Sequence, residues 1–261
     1  MKAYIFASGS SGNCMLLADG DTNILIDAGI SMRRLNAALT QTGRTTGDIG
    51  GVLITHEHSD HILGLKTLIK NSDLSVYAPR TVAARLRGML PEIDDRLKVI
   101  PVNECFQIGN LLITAFHTSH DTDESVGYRL QGEGTFAIAT DTGCINDEIE
   151  NGLAGAGTVL IESNHDEEML RYGRYPVYLK RRILSDRGHL SNADCARLAL
   201  HLAESGTGRI ILGHLSRENN RPEIAIETAR TALEGTGAEL FCAPVLGCLE
   251  VPVGKAELCL A

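Results

Sequence analysis

Thr55-His56-Glu57-His58-Ser59-Asp60-His61 is the stretch from which the rest of the chain is best read. Four side chains that ligate transition metals, His56, His58, Asp60 and His61, crowd into it. His56 and His58 stand two apart, so on extended backbone they project to the same side. Asp60 and His61 follow where the pattern turns helical, and from there they reach a second, adjacent point. That spacing supplies two metals a few ångströms apart better than it supplies one. The chain holds nine histidines, and imidazole is the commonest metal ligand. A chance polar loop is the weaker reading of three of them in one turn.

Outward from this stretch, apolar runs alternate with helical patterns. Val52-Leu53-Ile54, just before the histidines, reads as a buried strand. Ile24-Leu25-Ile26, Leu111 to Phe116, Thr135 to Ala139, Val159-Leu160-Ile161 and Ile210-Ile211-Leu212 read the same way. Amphipathic stretches predict helices over Met32–Thr42, Ile62–Lys70, Val82–Leu90, Ala193–Glu204 and Glu223–Glu234. Asn192 is placed to cap the fourth, and Pro222 suits the first turn of the fifth. Polar residues gather just past the strands: Asp27, His56, His120, Asp141 and His214. Strands that deliver His and Asp from their ends build one shared site at a sheet edge. With no repeat and no linker, residues 1–261 are expected to form one α/β-patterned domain.

Composition narrows the function classes. The chain has 261 residues, with 24 Lys+Arg against 33 Asp+Glu and a net charge of −9. This excludes a protein coated in bulk nucleic acid and disfavours an anionic membrane surface. No apolar run approaches the roughly 20 residues of a membrane span. The start, Met1 to Gly9, is too short in apolar residues for a signal-peptide core. The seven cysteines are Cys14, Cys105, Cys144, Cys195, Cys242, Cys248 and Cys259. None forms a C-x-x-C pair, and their number is odd, so reduced thiols in the cytoplasm are expected.

His56-x-His58-x-Asp60-His61 resembles the signature of the metallo-β-lactamase fold, and the likeness runs over essentially the whole chain. Asp27 matches that family's first motif, an Asp that supports the histidine loop. His120 in Thr118-Ser119-His120-Asp121, Asp141 in Ala139-Thr140-Asp141-Thr142-Gly143 and His214 in Gly213-His214-Leu215-Ser216 match the later ones. The resemblance implies an α+β fold, a four-layer αββα sandwich, with one sheet from each half of the chain. It also implies two divalent metal ions, Zn or Mn with Fe tolerated. His56, His58 and His120 would hold one, and Asp60, His61 and His214 the other, with Asp141 as the bridge.

Further segments resemble the YycJ/WalJ group within that fold. They are Ser8-Gly9-Ser10-Ser11-Gly12-Asn13, Ile161-Glu162-Ser163-Asn164-His165-Asp166, Gly188-His189-Leu190-Ser191-Asn192 and His214-Leu215-Ser216-Arg217-Glu218-Asn219-Asn220. The group implies a metal-dependent 5′-to-3′ exonuclease on double-stranded DNA, in which a metal-bridged hydroxide attacks phosphorus. The last two segments are also similar to tRNA 3′-processing endonucleases of this fold. On those likenesses Asp60 and His189 are the catalytic residues, with His189 assisting the leaving oxygen. The chain lacks the inserted second domain of the RNA-degrading and crosslink-repair branches. A protruding tRNA-binding arm and an extra cysteine-rich zinc site are missing as well.

Phosphate handling needs cations and backbone donors. Between Arg171 and Arg187 lie Arg171, Arg174, Lys180, Arg181, Arg182 and Arg187 against Asp186 alone, a basic segment in an acidic chain. Tyr172, Tyr175 and Tyr178 interleave with them and suit stacking on bases or sugars. The competing reading is a solvated helix face with its tyrosines turned to the core. Arg181, Arg182 and Arg217 are the expected phosphate contacts, with Ser10, Asn13 and His165 at the substrate edge. Ser10 or Asn13 equally suits a brace for the metal loop. A cyclic-phosphodiester or thioester hydrolase of the same fold would share every ligand but would not need the basic rim. RNA-processing nuclease is the other alternative. A metal-storing module would not need the Gly188-His189-Leu190-Ser191 segment.

Overall fold

The structure is a computed structural model that describes residues 1–254. The first half runs β1 (Lys2–Ala7), β2 (Cys14–Asp19), β3 (Thr22–Ile26), α1 (Met32–Gln41), β4 (Gly51–Leu53), α2 (Ser59–Ile62), α3 (Leu65–Asn71), β5 (Val76–Ala78), α4 (Arg80–Met89) and β6 (Leu97–Val99). The second half runs β7 (Cys105–Ile108), β8 (Leu111–His117), β9 (Val126–Gln131), β10 (Thr135–Ala139), α5 (Asp147–Leu153), β11 (Thr158–Glu162), α6 (Glu167–Tyr172), α7 (Val177–Ile183), α8 (Asn192–Glu204), β12 (Arg209–Gly213), α9 (Pro222–Ala232), β13 (Glu239–Cys242) and β14 (Leu249–Pro252).

Two seven-stranded sheets result, ordered β14-β1-β2-β3-β4-β5-β6 and β13-β12-β11-β10-β9-β8-β7. In each, hairpin-linked antiparallel strands lead into parallel strands joined through helices. The period of two along a strand sorts the core. Ile24 and Ile26 face the space between the sheets, while Leu25 faces the helices outside. Burial on both faces explains why these strands read as unbroken apolar runs. Three apolar layers separate four layers of structure. Leu35, Leu68 and Leu86 pack the first sheet's helices, and Ile5, Tyr128 and Phe136 fill the space between sheets. Leu153, Leu198 and Ala229 pack the second sheet's helices. This is the α+β, αββα sandwich the resemblance implied.

Three expectations need correction. The sheets do not divide cleanly between the halves, because β14 returns to pair antiparallel with β1. Val251 of β14 and Val253 just past it complete the inter-sheet core. The helix expected over 62–70 is interrupted at Leu63 and Gly64. The Gly64 amide donates to the Ala28 carbonyl oxygen at 2.7 Å and the Asp60 carbonyl oxygen accepts from the Asn13 amide, so the helix does not continue, and a Cβ on Gly64 would lie 2.1 Å from the Ile30 carbonyl oxygen. The cap of α8 is Ser191, not Asn192: the Ser191 hydroxyl accepts from the Asp194 amide at 3.1 Å. Asn192 instead turns inward, where its amide donates to Asn220 Oδ1 at 2.9 Å.

Candidate metal centre

Parallel strands of both sheets end on the same edge, the usual place for a site in such sheets. Asp27 leaves β3, the histidine loop leaves β4, Asp141 leaves β10, Glu162 ends β11 and His214 leaves β12. Asp27, Asp141 and His214 have φ of 58°, 56° and 54°. They are three of the four non-glycine residues with positive φ among the described residues. A left-handed residue costs about 1–2 kcal/mol. Here it turns the chain sharply off a strand end and aims the side chain across the edge instead of along it.

The histidine loop is held from below. Asp27 accepts from the Thr55 amide at 2.9 Å, from the Thr55 hydroxyl at 2.9 Å and from His61 Nδ1 at 2.7 Å. With its Nδ1 proton committed, His61 presents Nε2 to the centre. His214 Nδ1 donates to Glu162 Oε1 at 2.8 Å, and His120 Nδ1 lies 3.2 Å from the Gly188 carbonyl oxygen. All three rings are therefore turned Nε2-inward by the same device, an anchored Nδ1. Close backbone approach completes the frame. A Cβ on Gly29 would lie 1.6 Å from the Asp60 carbonyl oxygen, so only glycine fits beside that loop.

His56, His58 and His120 come together with ligand atoms within 4.8 Å of one another, and so do Asp60, His61 and His214. Asp141 stands between the two groups. Its Oδ2 is 3.3 Å from His61 Nε2, and its Oδ1 is 3.5 Å from His214 Nε2 and 3.7 Å from His120 Nε2. Asp141 Oδ2 and His214 Nε2 are buried without a hydrogen-bond partner. Orphaned buried polar atoms carry a large desolvation cost, and a divalent cation supplies what both lack. The residues present therefore fit metal, and imidazoles mixed with carboxylates suit Zn, Mn or Fe.

Electrostatics sharpen the roles. Burial, with His61 nearby, holds His56 well below the ordinary imidazole value, and burial also lowers His120. At His214 burial opposes charge, but Asp141, Asp60 and Glu162 outweigh it and carry the imidazole up to about 10. Glu162 shows the converse: burial would raise it, but His189 and His214 hold it down to about 2.

The remaining expected residues separate into groups. His189 joins the centre: its Nδ1 donates to Glu162 Oε1 at 2.7 Å, and its ring lies 5.1 Å from that of His120. Burial opposes charge on His189, and Glu162 overcomes it, so its affinity for a proton is raised. Ser10 and Arg182 line the pocket above, a cavity of about 260 Å3. Arg182 is paired with Asp121, whose Oδ1 is 3.3 Å from His120 Nε2. Asn13 points down instead. Its Oδ1 accepts from the Gly9 amide at 2.8 Å, its Nδ2 donates to Asp60 Oδ2 at 3.2 Å, and Nδ2 lies 2.9 Å from His61 Nε2. Arg217 donates to the Ser11 hydroxyl at 2.8 Å and ties the Ser8–Asn13 turn to the His214 loop.

Arg181 is exposed and does not line the pocket. His165 is 1 % exposed, with both ring nitrogens unpartnered, and lies outside the pocket lining. Arg187 and Lys180 spend their charge on main-chain oxygens, those of His120, Thr122 and Arg171. Tyr172 and Tyr178 point to solvent and Tyr175 into the pocket, so the tyrosines do not serve the core.

Sequence reasoning assigned no role to Glu162. The signal was present: it follows Val159-Leu160-Ile161 as Asp27 follows its own apolar run. Its Oε1 accepts from two imidazoles, and its Oε2 accepts from the Thr142 amide at 2.9 Å.

Comparison with known proteins agrees with this geometry. The family model described as "Beta-lactamase superfamily domain" matches residues 22–215. The chain is 37% identical over 235 residues to "Exodeoxyribonuclease YycJ" of Bacillus anthracis, covering 89% of each. It is 38% identical over 228 residues to "Exodeoxyribonuclease WalJ" of Streptococcus pneumoniae, covering 86% of this chain and 85% of that one. Among solved structures, the metallo-beta-lactamase fold protein YhfI from Bacillus subtilis superposes with a TM-score of 0.72 at 18% identity. That match covers 96% of this chain and 99% of YhfI. With strand-end histidines and carboxylates converging as they do, and with relatives matched along nearly their full length, this chain belongs to the beta-lactamase superfamily.

Proposed function

We propose that this protein is a metal-dependent phosphodiesterase that removes nucleotides from a 5′ end of double-stranded DNA. The observation that carries the reading is His189. It is held by Glu162 beside seven converging metal donors, at the foot of a pocket lined by Arg182. A thioester or lactone hydrolase has no need for that proton donor or that cation. The matched relatives named exodeoxyribonucleases supply the substrate class. The free thiols of the six described cysteines suit the cytoplasm, and Cys259 lies outside the described residues.

His56, His58 and His120 would hold one ion, Asp60, His61 and His214 a second, and Asp141 would serve both. Bound divalent ions bring a water of lowered pKa and a Lewis acid for the phosphate oxygens. The protein's own groups do the rest. Ser10 and Arg182 border the phosphate path. His189 carries a proton on Nε2 and delivers it to the 3′-oxygen as the bond from phosphorus to that oxygen breaks. A water adds to phosphorus and gives up a proton to solvent, so the released 5′-terminal nucleotide carries the freed 3′-hydroxyl and the shortened strand gains a new 5′-phosphate. Glu162 keeps the His189 ring in place and favours its protonated form.

The deciding experiment is an assay of chelated protein with Mn2+ or Zn2+ restored. Its substrates are end-labelled duplex DNA, single-stranded DNA and RNA of one sequence. Stepwise release from the 5′ end of duplex DNA is expected. Inertness toward every nucleic acid, with turnover of a small phosphodiester or thioester, would overturn the reading.

Metal binding itself is expected to depend on pH. A ligating imidazole must be neutral, whereas His214 in the metal-free chain holds its proton up to about 10. Metal uptake therefore releases protons, and affinity rises with pH. In the metal-free chain the charged His214 stabilises the fold fully below its ordinary 6.5, and that stabilisation disappears as pH rises through about 10. Calorimetric titration in buffers of different ionisation enthalpy counts the protons. Binding that releases none would contradict this donor set.

A further inference from the structure

The pocket holds about 260 Å3, and one of its walls is α7. His120, Asp141 and His214 at its foot are 4 % exposed or less. A phosphodiester reaches them only by entering the pocket. Sites that bury whole small-molecule ligands span roughly 300–1,000 Å3, so a cavity of about 260 Å3 suits one strand at a time. On the phosphodiesterase reading above, the end of a duplex has to part before it is cut.

The wall that would part it is one helix thick and has two unlike faces. Leu179, Arg182 and Ile183 face the pocket, together with Tyr175 just before the helix. Val177, Arg181 and Leu184 recur at helical spacing on the other side, with Tyr178 beside them. Val177, Tyr178 and Leu184 are 65 %, 74 % and 57 % exposed, and Tyr172 is 80 % exposed. Four of the nine large hydrophobics exposed among the described residues thus fall between positions 172 and 184. Arg171, Arg174 and Arg181 are exposed in the same segment, in a chain whose net charge is −9. A second copy of this chain would bring like charges face to face. A strand that carries both anionic phosphates and flat apolar bases matches the face.

We propose that α7 separates the end of the duplex. One strand passes inside to the pocket. Its complement is turned along the outer face, with bases against Val177, Tyr178 and Leu184 and a phosphate near Arg181. Apolar wedges that unstack base steps and aromatic platforms that receive unpaired bases are both established ways of holding parted strands.

The test compares the Mn2+-loaded wild type with a Val177→Asn, Leu184→Asn double variant. The substrates are a blunt duplex, the same duplex with a mismatched 5′ end, and the single strand. The variant is expected to cut the blunt duplex about 10-fold or more slowly, the size of effect that lost wedge and stacking interactions produce. It should cut the mismatched and single-stranded substrates at wild-type rates. With chelated protein, 2-aminopurine at the terminal pair of the uncut strand should brighten on binding wild type and stay dim with the variant. Equal slowing on all three substrates, or on none, overturns the proposal. So does a wild-type dimer that the variant converts to monomer in light scattering, which would assign the face to self-association. A wild type that cuts no DNA fails the nuclease reading itself. One that cuts all three substrates with ratios the variant leaves unchanged fails only the strand-separating role.

Discussion

Asp60→Ala is expected to lower phosphodiester cleavage by at least ~100-fold, because even residues that merely orient metal ligands cost about 10- to 100-fold when replaced. That is about 2.7 kcal/mol of transition-state stabilisation. The loss should fall on kcat/KM while the fold survives. The backbone tie of this residue survives the substitution, since its carbonyl oxygen accepts from the Asn13 amide at 2.7 Å, and only the side-chain bond from Asn13 Nδ2 is lost. Its side chain meets His61 Nε2 at 3.5 Å and His214 Nε2 at 3.7 Å, on the side where the second ion would sit. Metal titration and circular dichroism on the same sample separate the two effects. The variant should bind less metal at an unchanged spectrum. Full turnover by the variant would remove Asp60 from the mechanism.

Glu162→Gln tests a different link. The carboxylate is 0 % exposed, and all its bonds are accepted ones, from His189, His214 and the Thr142 amide. A glutamine must turn its amide nitrogen toward one of these donors, which leaves a buried clash of donors worth about 1–3 kcal/mol in stability. Cleavage should fall about 10- to 100-fold as both rings lose their orientation. The pH profile distinguishes this from simple destabilisation. Glu162 raises the proton affinity of His189, so without the carboxylate His189 loses its proton at lower pH. The alkaline limb of the rate profile should therefore move down in pH. A reduced rate with an unmoved alkaline limb would leave Glu162 a structural role only.

Residues differ in how much of their position the sequence discloses. His56 and His58 are legible because their spacing of two is a property of extended backbone, decided locally. Asp27 is legible because it closes an apolar run. His189 could be matched by likeness but not placed, since what brings it to the centre is Glu162 on another strand. Arg182 and Arg181 are adjacent and alike in sequence, yet only Arg182 faces the pocket, where Asp121 partly neutralises it. His165 sat in a segment read as the substrate edge, and the fold buries it. The break at Leu63 and Gly64 was hidden because the Ala28 carbonyl oxygen that takes the Gly64 amide is remote in sequence.

The sequence by itself determined most of the elements, the strand-end chemistry and the crowding of His56, His58, Asp60 and His61 into one loop, because strand period and apolar burial act over a few residues. Only the tertiary structure decided that Glu162 holds two histidines, that Asn13 turns into the histidine loop to meet Asp60, and that Arg182 lines the pocket while Arg181 does not. Each of those depends on atoms far apart in the chain. They meet because two separately formed sheets bury their inner faces against one another, and with that burial bring the ends of their parallel strands to one edge.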